Sequence, residues 1–260
     1  MPGGFLFWLM AFYDLDKNKR QQLAEKINAE VLSDIKTGKD LHLLNYFSDE
    51  DTYIRKTAYL AIGKIYKSQQ ELHAKILKQL KKLFKSENEK VRQTSINAAG
   101  EIGIIDFEPV EELMEKGLFD DHHSVRNAVI GSIKKMGEKN PKPVLAFAKR
   151  FLNHEDKEIR REICHGIELR GRTHPQDILP LLKELQFDKT ARVRNTLVHV
   201  LGQIAYKKGC LETVIAALTK WDNAELVTDA LEEIIDVHDR YKNFAVLTQK
   251  QARDYIEKNV

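Results

Sequence analysis

Two cysteines in 260 residues, Cys164 and Cys210, leave little room for thiol chemistry. Neither has a neighbour at metal-ligand spacing, which argues for a reducing compartment and against a structural zinc. Tryptophan is as scarce, with Trp8 and Trp221 alone. Excess charge is missing too: 42 basic and 39 acidic residues leave a formal +3. That balance neither demands nor excludes a nucleic-acid partner, and it moves the question to where the charges lie. The apolar run Phe5–Tyr13 (FLFWLMAFY) has nine residues, well short of the roughly 20 that span a bilayer. It lacks a basic leader and a small-residue cleavage site, so neither a membrane role nor a secretory signal is expected. Two readings of this segment stand: a natural start at Met10, or a cap over the exposed apolar edge of the first helical segment. Absent as well are a phosphate-cradling Gly-rich loop, a zinc-protease helix and a nucleophile elbow.

What is present is a repeat. One short signature recurs at Ile54-Arg55, Val91-Arg92, Val125-Arg126, Ile159-Arg160 and Val193-Arg194, with spacings of 37, 34, 34 and 34 residues. Each pair opens a helical run of small and apolar residues, such as VRQTSINAAGEIG and VRNTLVHVLGQIA. Self-similarity at this period predicts stacked helical hairpins, none of which can bury its apolar face alone. The fold class expected is all-α: a helical-repeat solenoid of about six hairpins plus terminal helices. Residues 1–15 read as an N-terminal extension and 16–260 as a single solenoid.

Within that frame, Asp16 is an N-cap for a helix reaching Thr37, ended by Gly38. Outer helices begin near Leu72, Glu108, Pro141, Pro175 and Leu211, with inner signature helices between them. Pro180, inside its outer helix, should kink or restart it. Val227 lies 34 residues past Val193 but is followed by Thr228 instead of arginine. An atypical last repeat of this kind is expected of a terminal cap.

Asp49, Asp120 and Asp188 each precede a signature arginine by six residues. The aspartate, the Val/Ile-Arg pair and the spaced small residues together resemble the HEAT repeat over about four fifths of the chain. In that family the arginine usually pairs with the aspartate of its own or the next repeat. The resemblance therefore implies a structural ladder of Arg55, Arg92, Arg126, Arg160 and Arg194 with Asp49, Asp120 and Asp188. Arg92 and Arg160 face Ser86 and His154 at the aspartate position.

On each inner helix, positions two, six and ten after the signature Val/Ile share a face. They are Lys56, Leu60 and Lys64; Gln93, Asn97 and Glu101; Asn127, Gly131 and Lys135; Arg161, His165 and Leu169; Asn195, His199 and Gln203. Hydrogen-bonding types dominate, which suits a polar partner. Charge alternates along the chain: Lys75–Arg92 is basic, Glu108–Asp121 acidic, Lys149–Arg172 basic and Asp222–Asp239 acidic. Two basic stretches on one face would grip a duplex; otherwise they are solvated helix faces.

The stretch Ile159–Trp221 is similar to HEAT-like alkylpurine DNA glycosylases of the AlkC and AlkD types, which hold DNA through its backbone on a concave face. The resemblance implies that Arg161 matches a DNA-contacting arginine. His165 stands where the AlkC type has an acidic residue, and His199 where the AlkD type has a stacking tryptophan. The AlkD-type catalytic aspartate falls near Arg126 or Asn127, and its other tryptophan near His123. The carboxylates left for glycosyl cleavage, which needs charge beside a developing oxocarbenium ion, are Glu101 and Glu168.

The function expected is a DNA-holding binding protein of the alkylation-repair type, acting without catalysis. Arg161, Arg170, Arg172 and Lys135 would supply charge, and Asn127, Asn195, His199 and Gln203 hydrogen bonds, in salt-sensitive backbone contacts. The alternatives are a protein–protein scaffold and an alkylpurine glycosylase. His165 and His199 lack a third ligand at suitable spacing, so no metal is expected; nor is a cofactor, and the chain reads as a cytoplasmic monomer.

Overall fold

The computed structural model describes residues 11–260, so the two readings of Phe5–Tyr13 rest mostly on residues outside it. Among the described residues every regular element is a helix, and the helices form an all-α repeat of the HEAT or armadillo kind. No helix among them is long and apolar enough to cross a membrane. Two compact units emerge, one ending at Ser132 and one spanning Ile133–Val260.

The first unit contains α1 (Lys17–Thr37), α2 (Leu41–Ser48), α3 (Thr52–Ser68), α4 (His73–Leu83), α5 (Glu89–Gly103), α6 (Glu111–Leu118) and the start of α7 (His123–Lys139). Helix α1 begins where the Asp16 side chain accepts the Lys19 amide at 2.9 Å. It ends at Gly38, whose φ of 73° is in the left-handed region that glycine enters without a Cβ penalty. Of its apolar residues spaced by four, Ile27, Val31 and Ile35 are wholly buried and Leu23 is half-buried. Inner helices α3 and α5 lie side by side, with α4 and α6 behind them. Residues 11–15 dock here: the Phe12 amide donates to Asp51, Tyr13 meets Tyr53 edge-on at 4.2 Å, and Leu15 is buried.

The second unit contains α8 (Pro141–Phe151), α9 (Lys157–Gly166), α10 (Glu168–Gly171), α11 (Pro175–Lys183), α12 (Ala191–Gln203), α13 (Cys210–Leu218), α14 (Ala224–Arg240) and α15 (Gln249–Asn259). Three details differ from expectation. Helix α11 continues through Pro180 without restarting. The proline is exposed, as is Gln176 one turn earlier, so the carbonyl that loses its amide partner can turn to water. The fourth signature helix breaks at Ile167 into α9 and α10. In α14 the buried face starts at Leu226, with Val227 half-exposed. Without a signature arginine, entry to that helix is set by Asn223, whose side chain accepts the Leu226 amide at 3.1 Å.

One column explains how closely the inner helices approach. Nine residues after each signature Val/Ile come Gly63, Gly100, Lys134, Glu168 and Gly202. A Cβ on Gly63 would lie 2.7 Å from the Glu101 Cβ, and one on Gly100 2.7 Å from the Ser132 Cβ. On Gly202 it would meet the Glu233 side chain at 2.6 Å. At these three places glycine is required by the neighbouring helix.

Candidate functional site

The signature arginines fold back over the loop that precedes their own helix. Arg55 Nη1 donates to the carbonyl oxygens of Asp49 (2.5 Å) and Glu50 (3.0 Å). Arg92, Arg126 and Arg160 repeat this at Ser86/Glu87, Asp120/Asp121 and His154/Glu155, and Arg194 reaches the Asp188 carbonyl at 2.7 Å. Loop carbonyls that no helix satisfies thereby gain charge-assisted donors. The carboxylates are used differently. Arg92 grips Asp120 of the next repeat with two bonds (2.7 and 3.0 Å), and Arg160 grips Asp188 likewise (2.5 and 3.1 Å). Burial works against the charge on Asp120 and Asp188, but these arginines hold both carboxyls below the usual range. Asp49 instead accepts the Asp51 amide (2.7 Å), and burial pushes its carboxyl up. The arginines lacking an aspartate at their own loop, Arg92 and Arg160, are thus the ones seen clasping the next repeat's aspartate.

In the second unit the two non-glycine members of the ninth column meet. Glu168 is 1% exposed. Its Oε1 accepts from Arg172 Nε (2.8 Å) and Nη2 (2.5 Å), and its Oε2 lies 3.1 Å from both Lys134 Nζ and His165 Nε2. Burial alone would raise its pKa; the bond from His165 and the charges of Lys134 and Arg172 hold it down at about 2. Arg172 also donates to Gln203 Oε1 at 3.0 Å. Gln203 is itself 1% exposed, and its Nε2 has no partner among the described residues.

Above this hub lies an open groove of about 420 Å³ between α9 and α12, lined by Arg161, His165, Arg192, Asn195, Thr196 and His199. Three residues expected at a DNA surface, Arg161, Asn195 and His199, come together there. Arg161 bonds Glu158 at 2.9 Å and also approaches Glu162; Arg192 holds the other Glu158 oxygen at 3.0 Å. Arg172 and Gln203 do not line the groove but bond each other beside Glu168. Arg170 turns to Asp177 on α11 at 2.6 Å. Asn127 and Lys135 are exposed on α7, and Glu101 is half-buried against Gly63. Of the two candidate catalytic carboxylates, Glu168 therefore has both oxygens engaged and almost no exposure.

The charged stretches of the first unit also meet one another. Lys81 on α4 bonds Glu112 on α6 at 2.7 Å, and Lys116 bonds the same carboxylate at 2.8 Å; together they hold the Glu112 carboxyl at about 2. Lys82 pairs with Asp40 at 2.5 Å. Lysines 78, 81, 82 and 85 rim a shallow depression on α4.

Sequence reading missed Lys134, Glu158, Glu162 and Glu233. Lys134 had a legible signal: it breaks a glycine column next to a residue of opposite charge one repeat on. The other three acids look like any surface glutamate until the partner helix is placed.

A family model described as non-SMC mitotic condensation complex subunit 1 matches residues 41–106. No curated protein matches the chain. Among solved structures, Kap95p, in a structure on the switch loops of RanGDP, is similar at 16% identity and a TM-score of 0.45, over 81% of this chain and 31% of that one. YibA of Escherichia coli is similar at 17% identity and a TM-score of 0.44, over 94% and 89% of the two chains. A computationally designed armadillo repeat protein for modular peptide recognition shows 17% identity and a TM-score of 0.34, over 83% and 98%. This chain thus spans about a third of the length of Kap95p.

Proposed function

We propose that the chain is a helical-repeat scaffold that binds a protein partner along its inner-helix surface. The observation carrying this reading is that the arginines expected to hold phosphate are each held by a carboxylate of their own unit: Arg161 by Glu158, Arg170 by Asp177 and Arg172 by Glu168. Phosphate contacts there would have to displace existing pairs. A protein partner asks less, because a surface of mixed, locally neutralised charge and amides recognises polar side chains and backbone without a counter-ion excess. The family model matching residues 41–106 is named for a subunit of a complex, which agrees with such a role.

A second reading is DNA-backbone binding, favoured by the lysine row of α4. Lys78 and Lys85 are exposed and make no ion pair among the described residues. The glycosylase reading draws nothing from Glu168, which cannot reach a sugar while 1% exposed.

The test pairs two measurements. Fluorescence anisotropy of labelled duplex DNA at about 50 and 200 mM salt reads backbone binding, because several phosphate contacts cost orders of magnitude over that range. A photo-crosslinking residue at Asn195 or Gln93, with one at exposed Lys142 as control, reads a protein partner. A defined protein adduct at 195 and 93 only, with no salt-sensitive duplex binding, supports the scaffold. Tight duplex binding that collapses with salt overturns it; weakening by Lys78→Ala and Lys85→Ala would place the DNA on α4, and weakening by Arg161→Ala in the groove.

A further inference from the structure

His165 Nε2 is caught between two incompatible neighbours. Lys134 Nζ stands 2.9 Å away and Glu168 Oε2 3.1 Å away. An ammonium only donates and an ionised carboxylate only accepts, while a ring nitrogen carries either a proton or a lone pair. Whichever it carries, one of the two contacts is mismatched. His199, on the adjacent inner helix, brings a third ligand type to the same place: its ligand atom and those of His165 and Glu168 all lie within 4.8 Å of one another.

We propose that these three residues form a divalent transition-metal site, with Zn²⁺ as the natural occupant and Lys134 as the cation that holds its place when no metal is bound. Two imidazoles and one carboxylate are a borderline-soft set suited to zinc, with a fourth position left for water or a ligand. Ligand atoms about 2.0 Å from a tetrahedral zinc are about 3.3 Å apart, and the His165–Glu168 separation is 3.1 Å. The carboxylate is oriented from behind, since Arg172 engages Oε1 and leaves Oε2 turned to the imidazole. Glu233 Oε1 on α14 lies 3.6 Å from His199 Nδ1 and adds a further carboxylate beside the site. The groove over α9 and α12, lined by both histidines and by Asn195, supplies the entry path.

Charge sets the difficulty. The five cations Lys134, Arg172, Arg161, Arg192 and Arg240 outnumber by one the four carboxylates paired with them, Glu168, Glu158, Glu162 and Glu233. A metal must displace the Lys134 ammonium, whose side chain is 24% exposed and can swing to solvent. Lys134 is therefore a built-in competitor, and removing its charge tightens binding. This inference does not depend on the identity of the macromolecular partner.

The experiment titrates the full chain with Zn²⁺ against a chromophoric chelator, and with Co²⁺ to read the visible absorption of a tetrahedral site. Wild type is expected to bind one equivalent. His165→Ala and His199→Ala each weaken binding about tenfold or more, at or beyond the effect of losing an outer-sphere partner, and Lys134→Met tightens it by a similar factor. Unchanged circular dichroism of the two surface histidine variants separates ligand loss from unfolding. Zinc retained by the His165→Ala/His199→Ala double variant would assign the metal to other histidines or to the cysteines and overturn the proposal. So would the absence of binding in both wild type and Lys134→Met.

Discussion

The two units solve one packing problem by opposite means. In the first, inner helices approach over Gly63 and Gly100, whose missing side chains admit Glu101 and Ser132 of the next helix. In the second, the column keeps glycine at Gly202 but holds Lys134 and Glu168 at its other two places, where closeness is replaced by a buried salt bridge with Arg172 and His165 as further partners. Glycine gives tight contact with no chemistry. The charged pair keeps the helices together while leaving ionisable groups beneath a groove, and it is there that the candidate site lies.

The comparison breaks most sharply at Glu168. Glu168→Ala leaves Lys134 and Arg172, 24% and 30% exposed, without their shared carboxylate. Removing one partner of a buried pair costs about 3–5 kcal/mol, and the expected result is a large drop in denaturation midpoint with faster hydrogen exchange in α9–α12. Acid should do the same reversibly. The Glu168 carboxyl titrates at about 2 in the folded chain against an ordinary 4.5. Between those values the unfolded chain binds more protons, so this contribution is fully present above 4.5 and is lost as pH falls towards 2. A shift of that size corresponds to about 3 kcal/mol. In Glu168→Gln that part of the acid-induced loss should vanish; an unchanged profile would count against the hub.

The glycine side of the comparison yields to overpacking. Gly100→Val drives a branched side chain into Ser132 and should cost about 1–3 kcal/mol, with exchange rising in α5 and α7. The same substitution at Gly131, where a Cβ would meet nothing within 4 Å, removes helical glycine without a clash and should leave stability near that of wild type. Equal losses at both positions would mean that close approach is not what the column encodes.

These contrasts also show what the sequence made legible. The signature period, the Asp16 cap, the Gly38 stop and the outer-helix starts were readable because each rests on local chemistry. The all-α repeat follows from them. The site was harder. Arg161, Asn195 and His199 fell on one groove because helical spacing alone places them. Gln203 occupies the same column yet is buried, since α12 closes against α14 at its end. Arg170 and Arg172 carry charge in sequence, but their meaning depends on Asp177 and Glu168, whose positions only packing determines. Glu168 was legible as a carboxylate three residues after His165, but its burial against Lys134 and Arg172 is set by packing.

The smallest effect separates the two uses of the signature arginine. Arg160 caps its own loop and also clasps Asp188, the two side chains being 15% and 5% exposed. Among the described residues, Arg194 reaches only the carbonyl of Asp188. Arg160→Ala should therefore cost about 2–3 kcal/mol, the range for charged hydrogen bonds plus a carboxylate left buried, and Arg194→Ala about 1 kcal/mol. Asp188→Asn discriminates further. It removes the charge facing Arg160 while leaving the backbone carbonyl that Arg194 uses, so it should reproduce most of the Arg160→Ala loss and couple to it in a double-mutant cycle, with little coupling to Arg194→Ala. Equal coupling to both arginines would mean that the loop carbonyls, and not the carboxylate link between repeats, set the strength of the stack.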